Sequence, residues 1–241
     1  MLLYIFMWVS FIAVIIVNVL SDLLPINGQT TAEISNRIEV LFTPAGYVFS
    51  IWIVIYIALA LWLVLQFKNV KMKKINTKIG VFFIASCFFS IGWLLSWHYE
   101  LFIVSVAMMV LLLISLILIY LQYKNDETAF SRRFPFSLYL SWISVATIVN
   151  INYVLKYYKV SLGISEIFGT LLLVTVAIII AYIAATYSND YYFVLVVLWA
   201  LIGIIVKNDN TTIQVGTGTL AGFLFVVVIG HYLSTKSKKA S

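Results

Sequence analysis

Apolar residues along this chain fall in long unbroken runs, separated by short polar breaks, without the alternation of a half-buried strand. The runs occupy residues 3–21, 45–66, 79–97, 101–122, 135–155, 166–187, 191–206 and 217–233. A helix rising ~1.5 Å per residue crosses a hydrocarbon core of roughly 30 Å in about 20 residues. Each run therefore predicts a membrane span, and the last two are the shortest. Lipid offers the backbone no hydrogen-bond partners, so a span is a helix or part of a closed barrel, and continuous apolar runs select the helix. The expected fold is all-α, a polytopic membrane helix bundle of about eight transmembrane helices. The first run, MLLYIFMWVSFIAVIIVNVL, lacks a basic leading segment and a small-residue cleavage site, which predicts a retained span and not a removed signal peptide.

Composition agrees, because 63% of the 241 residues are hydrophobic and only 10% are charged, more apolar surface than a water-soluble globule of this size carries. The net charge of +6 does not point to nucleic acid, since the basic residues lie in loops and a tail and form no basic helical face. They report orientation instead. With the N-terminus inside, Lys68, Lys71, Lys73, Lys74, Lys78, Lys124, Arg132, Arg133, Lys236, Lys238 and Lys239 fall on the cytoplasmic side, eleven of the fifteen. Both termini are thus expected to be cytoplasmic, in a bacterial plasma membrane. Cys87 is the only cysteine and lies in an apolar run, which predicts a small packing residue.

Chemistry is sparsely supplied. Asp22, Glu100, Glu166 and Lys207 sit at predicted span ends, so no ion-coupling pair at membrane depth is expected. His98 and His231 fall on opposite sides of the membrane in this topology, which excludes a metal site built on both. No phosphate-binding loop, activated nucleophile or carboxylate pair is present, and no enzymatic activity is expected.

Aromatic and small polar residues recur at helical spacing on three spans. They are Phe49, Trp52 and Tyr56 on the second, Ser86, Ser90, Trp93 and Trp97 on the third, and Tyr139, Trp142, Ala146 and Asn150 on the fifth. Such stripes serve either close helix packing or a flat apolar ligand held by rings and a few hydroxyl or amide groups. A long polar loop, SDLLPINGQTTAEISNRIEVLFTPAG, joins the first two spans. Ile34, Ile38 and Leu41 at helical spacing favour a short amphipathic segment over the outer mouth of the bundle, able to act as a lid, with a plain flexible connector as the other reading.

The junction LFTPAGYVFSIWIVIY and the segment FPFSLYLSWISVATIVN together resemble the TspO family of tryptophan-rich sensory proteins, which includes the mitochondrial translocator protein. Thr43, Pro44, Phe49, Trp52 and Tyr56 match the family's start of the second span, with Gly46 in the loop-to-helix junction. Pro135, Tyr139, Trp142, Ala146 and Asn150 match its fifth. Ala45 stands where the family has a second proline, Val149 where leucine is usual and Ser90 where asparagine is usual in the third span; the tryptophan of the long loop is replaced by Glu33 or absent.

The resemblance implies a TspO-like five-helix core at residues 1–155, followed by an additional three-helix membrane segment at 156–233 and a basic cytoplasmic tail at 234–241. It further implies a membrane receptor or sensor that binds a hydrophobic planar molecule, tetrapyrrole or sterol-like, in a bundle pocket, often as a homodimer. Porphyrin or haem is the candidate ligand, and no other cofactor is expected. The ligand-binding residues are then Phe49, Trp52, Tyr56, Ser90, Trp93, Tyr139, Trp142, Ala146 and Asn150. Two other readings stay open, a permease for such a molecule and a structural partner of another membrane protein. Porphyrin degradation ranks last, because the loop tryptophan is missing.

Overall fold

The computed structural model describes residues 1–71, 76–123, 130–161 and 163–240, with backbone alone at 22, 69–71, 130–131 and 238–240. Of the basic residues assigned above to inner loops, Lys73, Lys74 and Lys124 lie outside the described residues, as do the side chains of Lys71, Lys238 and Lys239 and of Asp22.

Among the described residues the regular structure is helical: α1 (Leu2–Leu23), α2 (Thr31–Arg37), α3 (Ile51–Lys71), α4 (Thr77–His98), α5 (Phe102–Gln122), α6 (Phe130–Tyr157), α7 (Glu166–Ser188), α8 (Tyr191–Lys207) and α9 (Thr211–Ala240). Seven of them are long and apolar enough to cross a membrane, and α8 is a shorter apolar helix. The chain is an all-α polytopic membrane bundle. Its surface is inverted relative to a soluble protein. Ile53, Val54, Ile57 and Leu61 of α3 are exposed, whereas Ser86, Ser105, Ser141 and Asn150 are buried. That is the arrangement lipid favours, since apolar side chains lose nothing by facing hydrocarbon and polar ones need partners inside.

The chain divides into two compact units, the first made of Met1–Glu39 with Trp52–Val160 and the second of Val40–Ile51 with Ser161–Ser241. In the first unit α4 packs on α1, α2 and α5, and α5 packs on α6. Helix α3 buries Ile55, Ala58, Leu59 and Trp62, the i, i+3, i+4, i+7 stripe of one helical face. Trp62 ties that face to its neighbours. Its ring meets Phe136 of α6 edge-on at 4.8 Å and Phe83 of α4 at 5.1 Å, while its indole N–H donates to the Tyr123 hydroxyl at 3.2 Å. Ring pairs of this kind add about 0.5–1.5 kcal/mol each beyond their burial. Helix α4 begins at an Asn76 cap whose side-chain oxygen accepts from the N–H groups of Lys78 and Ile79. Helix α6 begins at Phe130, ahead of the expected start at Pro135, and runs through that proline. It is the most enclosed span, with 67% of its apolar window buried.

The second unit is a three-helix assembly of α7, α8 and α9, each packed on the other two. Thr170, Val174, Ala177, Ile178, Ala181 and Ala185 form the buried stripe of α7, and its small residues let a neighbouring helix approach closely. Two residues join α7 to α8. Asn189 closes α7 in the left-handed conformation at φ 49°, and the Asp190 side chain caps α8 by accepting from the Phe193 N–H.

The segment Val40–Ile51 docks on α8 of this second unit. The Ala45 N–H donates to the Gly203 carbonyl at 3.0 Å, the Trp199 indole N–H to the Val48 carbonyl at 3.1 Å and the Asn208 amide to the Leu41 carbonyl at 2.9 Å. Tyr47 packs edge-on against Trp199. Gly203 is required here, because a Cβ at that position would run into Val48 and lie 2.9 Å from the Pro44 Cβ. Thr43, Pro44 and Gly46 of the junction therefore belong to a surface matched to α8.

Candidate functional site

Within the first unit the ring-bearing faces of α3 and α6 meet. Trp52 stacks on Tyr56 with centroids 5.3 Å apart, and meets Tyr139 at 5.7 Å and Trp142 at 6.4 Å, both edge-on. Tyr139 and Trp142 are buried. One turn of each helix therefore contributes to a single aromatic cluster, because residues three and four apart share a helical face; Trp52 and Tyr56 are half-buried. Ser90 of α4 is buried beside it and hydrogen-bonds to Tyr139. Phe49 precedes the regular turns of α3. The chain from Gly46 to Ser50 is a 3-10 turn and the α-helix starts at Ile51, so the spacing from Phe49 to Trp52 is not that of one regular helix. Phe49 is 42% exposed and belongs to the second unit.

Toward the C-terminal ends of α4 and α6 a second group of rings continues the same faces. Trp93 stacks on Trp97 at 6.2 Å, and Trp97 meets Tyr153 at 4.6 Å and Phe102 at 5.3 Å. Asn150, one turn before Tyr153 on α6, donates from its amide nitrogen to the Ser105 hydroxyl of α5 at 3.3 Å. Ala146 lies one turn earlier still, half-buried.

Above these ends sits the loop between α1 and α2. Helix α2 starts in a capping box, in which the Thr30 hydroxyl accepts from the Glu33 N–H and the Glu33 carboxylate accepts from the Thr30 N–H at 2.7 Å. It ends at Arg37, so the amphipathic helix stops short of Ile38 and Leu41. Ile38 is extended, and only Ile34 of the expected apolar trio points from the helix into the bundle, fully buried. A run of β-branched residues at 38 and 40 favours that extended exit.

The clasp between loop and bundle centres on His98, the buried last residue of α4. Its Nδ1 lies 3.1 Å from the Gln29 carbonyl and 3.2 Å from that of Ile26. Two carbonyl neighbours require a proton on Nδ1, and Nε2 pairs with the Thr31 hydroxyl at 3.0 Å. The His98 carbonyl takes the Asn27 amide at 3.0 Å, Tyr153 donates to the Ile34 carbonyl at 2.8 Å, and Arg37 pairs with Glu100 at 2.9 Å. Gln29 also bonds both Arg37 and Glu100. The Arg37 guanidinium, by its hydrogen bond, holds the Glu100 carboxyl below its ordinary range.

Sequence spacing finds the stripes on α3, α4 and α6 but gives no weight to His98, Asn27, Gln29 or Thr31. Their partners lie 67 to 72 residues away in the chain, and no periodicity marks such a pair. Only a histidine at the very end of an apolar run, beside a loop rich in amides and hydroxyls, carries a signal.

No curated protein and no solved structure matches the chain. A sequence profile described as TSPO-like protein matches residues 4–230, through the last three helices as well as the first five spans. With nearly its whole length covered by that match, the chain belongs to the TSPO-like protein family.

Proposed function

We propose that this protein is a membrane receptor or sensor that binds a hydrophobic planar ligand, tetrapyrrole or sterol-like, in the interior of its first unit beneath the α1–α2 loop. The observation that carries the reading is the meeting of half-buried Trp52 and Tyr56 with buried Tyr139 and Trp142 in one cluster. Flat rings with a hydroxyl or amide nearby offer the stacking surface and the few polar contacts such a ligand needs. Trp52 and Trp142 touch edge to face, so a guest enters by turning one of these rings aside. The loop clasp closes the same end and makes occupancy readable outside the bundle, because His98 and Tyr153 stand on the helices that carry the rings. The concentration of basic residues in the loops assigned inside favours cytoplasmic termini, in a bacterial plasma membrane. The family's dimeric habit makes a homodimer the expected assembly.

The test is a titration of the purified full chain in lipid nanodiscs with protoporphyrin IX, followed by tryptophan fluorescence. Saturable quenching in the wild type, weakened about tenfold in Trp52→Phe with Trp142→Phe while helix content and melting temperature hold, supports the receptor; a weakened stacking contact accounts for about 0.5–1.5 kcal/mol at each site. Equal quenching in both proteins sinks it.

A further inference from the structure

The fastening of residues 40–51 to α8 lies outside the aromatic cluster, yet its last hydrogen bond falls on the turn that leads directly into Trp52. The Val48 carbonyl takes two donors, the backbone N–H of Ile51 at the end of the 3-10 turn and the Trp199 indole N–H of α8 at 3.1 Å. Both of its lone pairs are thereby used. In an α-helix that carbonyl would go to the N–H four residues on, which is that of Trp52. The two bonds therefore keep Gly46–Ser50 in the tighter 3-10 winding, and the regular turns of α3 begin only at Ile51. The turn is firmly seated. Val48 and Phe42 are fully buried, the Ala45 N–H donates to the Gly203 carbonyl, and the absence of a Cβ on Gly203 is what admits Val48 and Pro44. A change of winding here cannot leave Trp199 undisturbed.

Trp52 is the second residue of α3. A helical side chain leans back over the turn before its own, and its remaining staggered rotamer drives it into that turn. Tyr56 stacks on the Trp52 ring from the turn ahead, and Tyr139 and Trp142 meet it from α6, so a Trp52 ring turned aside presses on Gly46–Ser50. We infer that this turn is a two-state hinge through which the second unit reads the ring cluster. With the cluster closed, the turn is 3-10 and Trp199 holds the Val48 carbonyl. With Trp52 displaced, α3 gains a turn, the Val48 carbonyl passes to the Trp52 N–H and Trp199 is released. Helices α7, α8 and α9 then serve as the read-out module of the receptor. The coupling is reciprocal, since a guest that breaks the Trp199 contact is itself bound less tightly while that contact stands. The inference rests on the proposed function for what displaces Trp52, and the hinge can be tested without any ligand.

The experiment uses the full chain in nanodiscs with tryptophan labelled by nitrogen-15, the Trp199 indole signal being assigned through Trp199→Phe. Tyr139→Leu removes a ring that holds Trp52 in place, and Trp62→Phe disturbs α3 further along as the control. The inference expects the Trp199 N–H signal to move upfield, toward a weaker hydrogen bond, in Tyr139→Leu and to stay in place in Trp62→Phe. Protoporphyrin IX should move it the same way, saturably, over the concentrations that quench tryptophan fluorescence. Trp199→Phe should tighten protoporphyrin about two- to tenfold, the effect of one hydrogen bond lost from the closed state. A Trp199 signal that ignores Tyr139→Leu, or that shifts as far in Trp62→Phe, overturns the hinge. So does protoporphyrin binding that neither moves the Trp199 signal nor tightens in Trp199→Phe, and in that case the receptor reading stands. A response of Trp199 to Tyr139→Leu without any quenching by protoporphyrin upholds the hinge and removes the tetrapyrrole reading.

Discussion

His98 and Glu100 together turn the end of α4 into a fastening for the loop above it. The histidine donates from Nδ1 to the loop carbonyls and pairs through Nε2 with the Thr31 hydroxyl. Glu100 works differently. Its folded value lies below the ordinary carboxylate value through Arg37, so the stability it contributes is complete at neutral pH and is lost as pH falls through that lowered value. Glu33, lowered chiefly by the Thr30 backbone N–H, acts in the same direction inside α2. The loop should therefore loosen on the acid side, as pH falls through those lowered values, whereas the raised value of Arg37 matters only in strong alkali. Amide hydrogen exchange over residues 26–37, corrected for its intrinsic pH dependence, is expected to rise there. Glu100→Gln should raise exchange at 26–29 already at neutral pH and leave only the step due to Glu33. An unchanged profile in that variant would show that the ion pair does not fasten the loop. Since Arg37 and Glu100 are both partly solvated, the effect on global melting should be small.

At the scale of elements, the span positions could be read from the chain because a run of about twenty apolar residues has one stable form in lipid. Boundaries set by particular contacts could not. The break between Gly46 and Ile51 arises where Pro44, Ala45 and Val48 are held on α8, and nothing local to residues 41 to 51 names a partner more than 150 residues away. Helix α2 ends early for a local reason, the extended preference of Ile38 and Val40. The docking makes Gly203 a sensitive position. Gly203→Ala should destabilise the second unit by about 1–3 kcal/mol, the usual range for forcing an extra carbon into a filled contact. Thermal unfolding in detergent, read through the Trp199 environment, checks this, and Gly222→Ala, where a Cβ meets nothing within 4 Å, is the matched control. Equal melting of the two variants would contradict the docking of 40–51 on α8.

Across the described residues, polar groups and rings such as Ser90, Trp97, Trp142 and Asn150 are buried while aliphatic side chains such as Ile53 and Leu61 are exposed, and the family match extends over both units. Residue pattern alone made the three stripes legible, including the buried positions of Ser90, Trp142 and Asn150. It could not show which rings touch, because helix rotation and tilt follow from packing and not from spacing. The central claim is that the touching rings of α3 and α6 mark where a guest binds. The most direct measurement is photo-crosslinking of the full chain in nanodiscs with a diazirine-bearing protoporphyrin, mapped by mass spectrometry and competed with excess unmodified ligand. The account predicts competed cross-links on the α3 and α6 peptides that contain Trp52, Tyr56, Tyr139 and Trp142. Cross-links confined to lipid-facing positions such as Phe88 or Ile53, or undiminished by competitor, would contradict it.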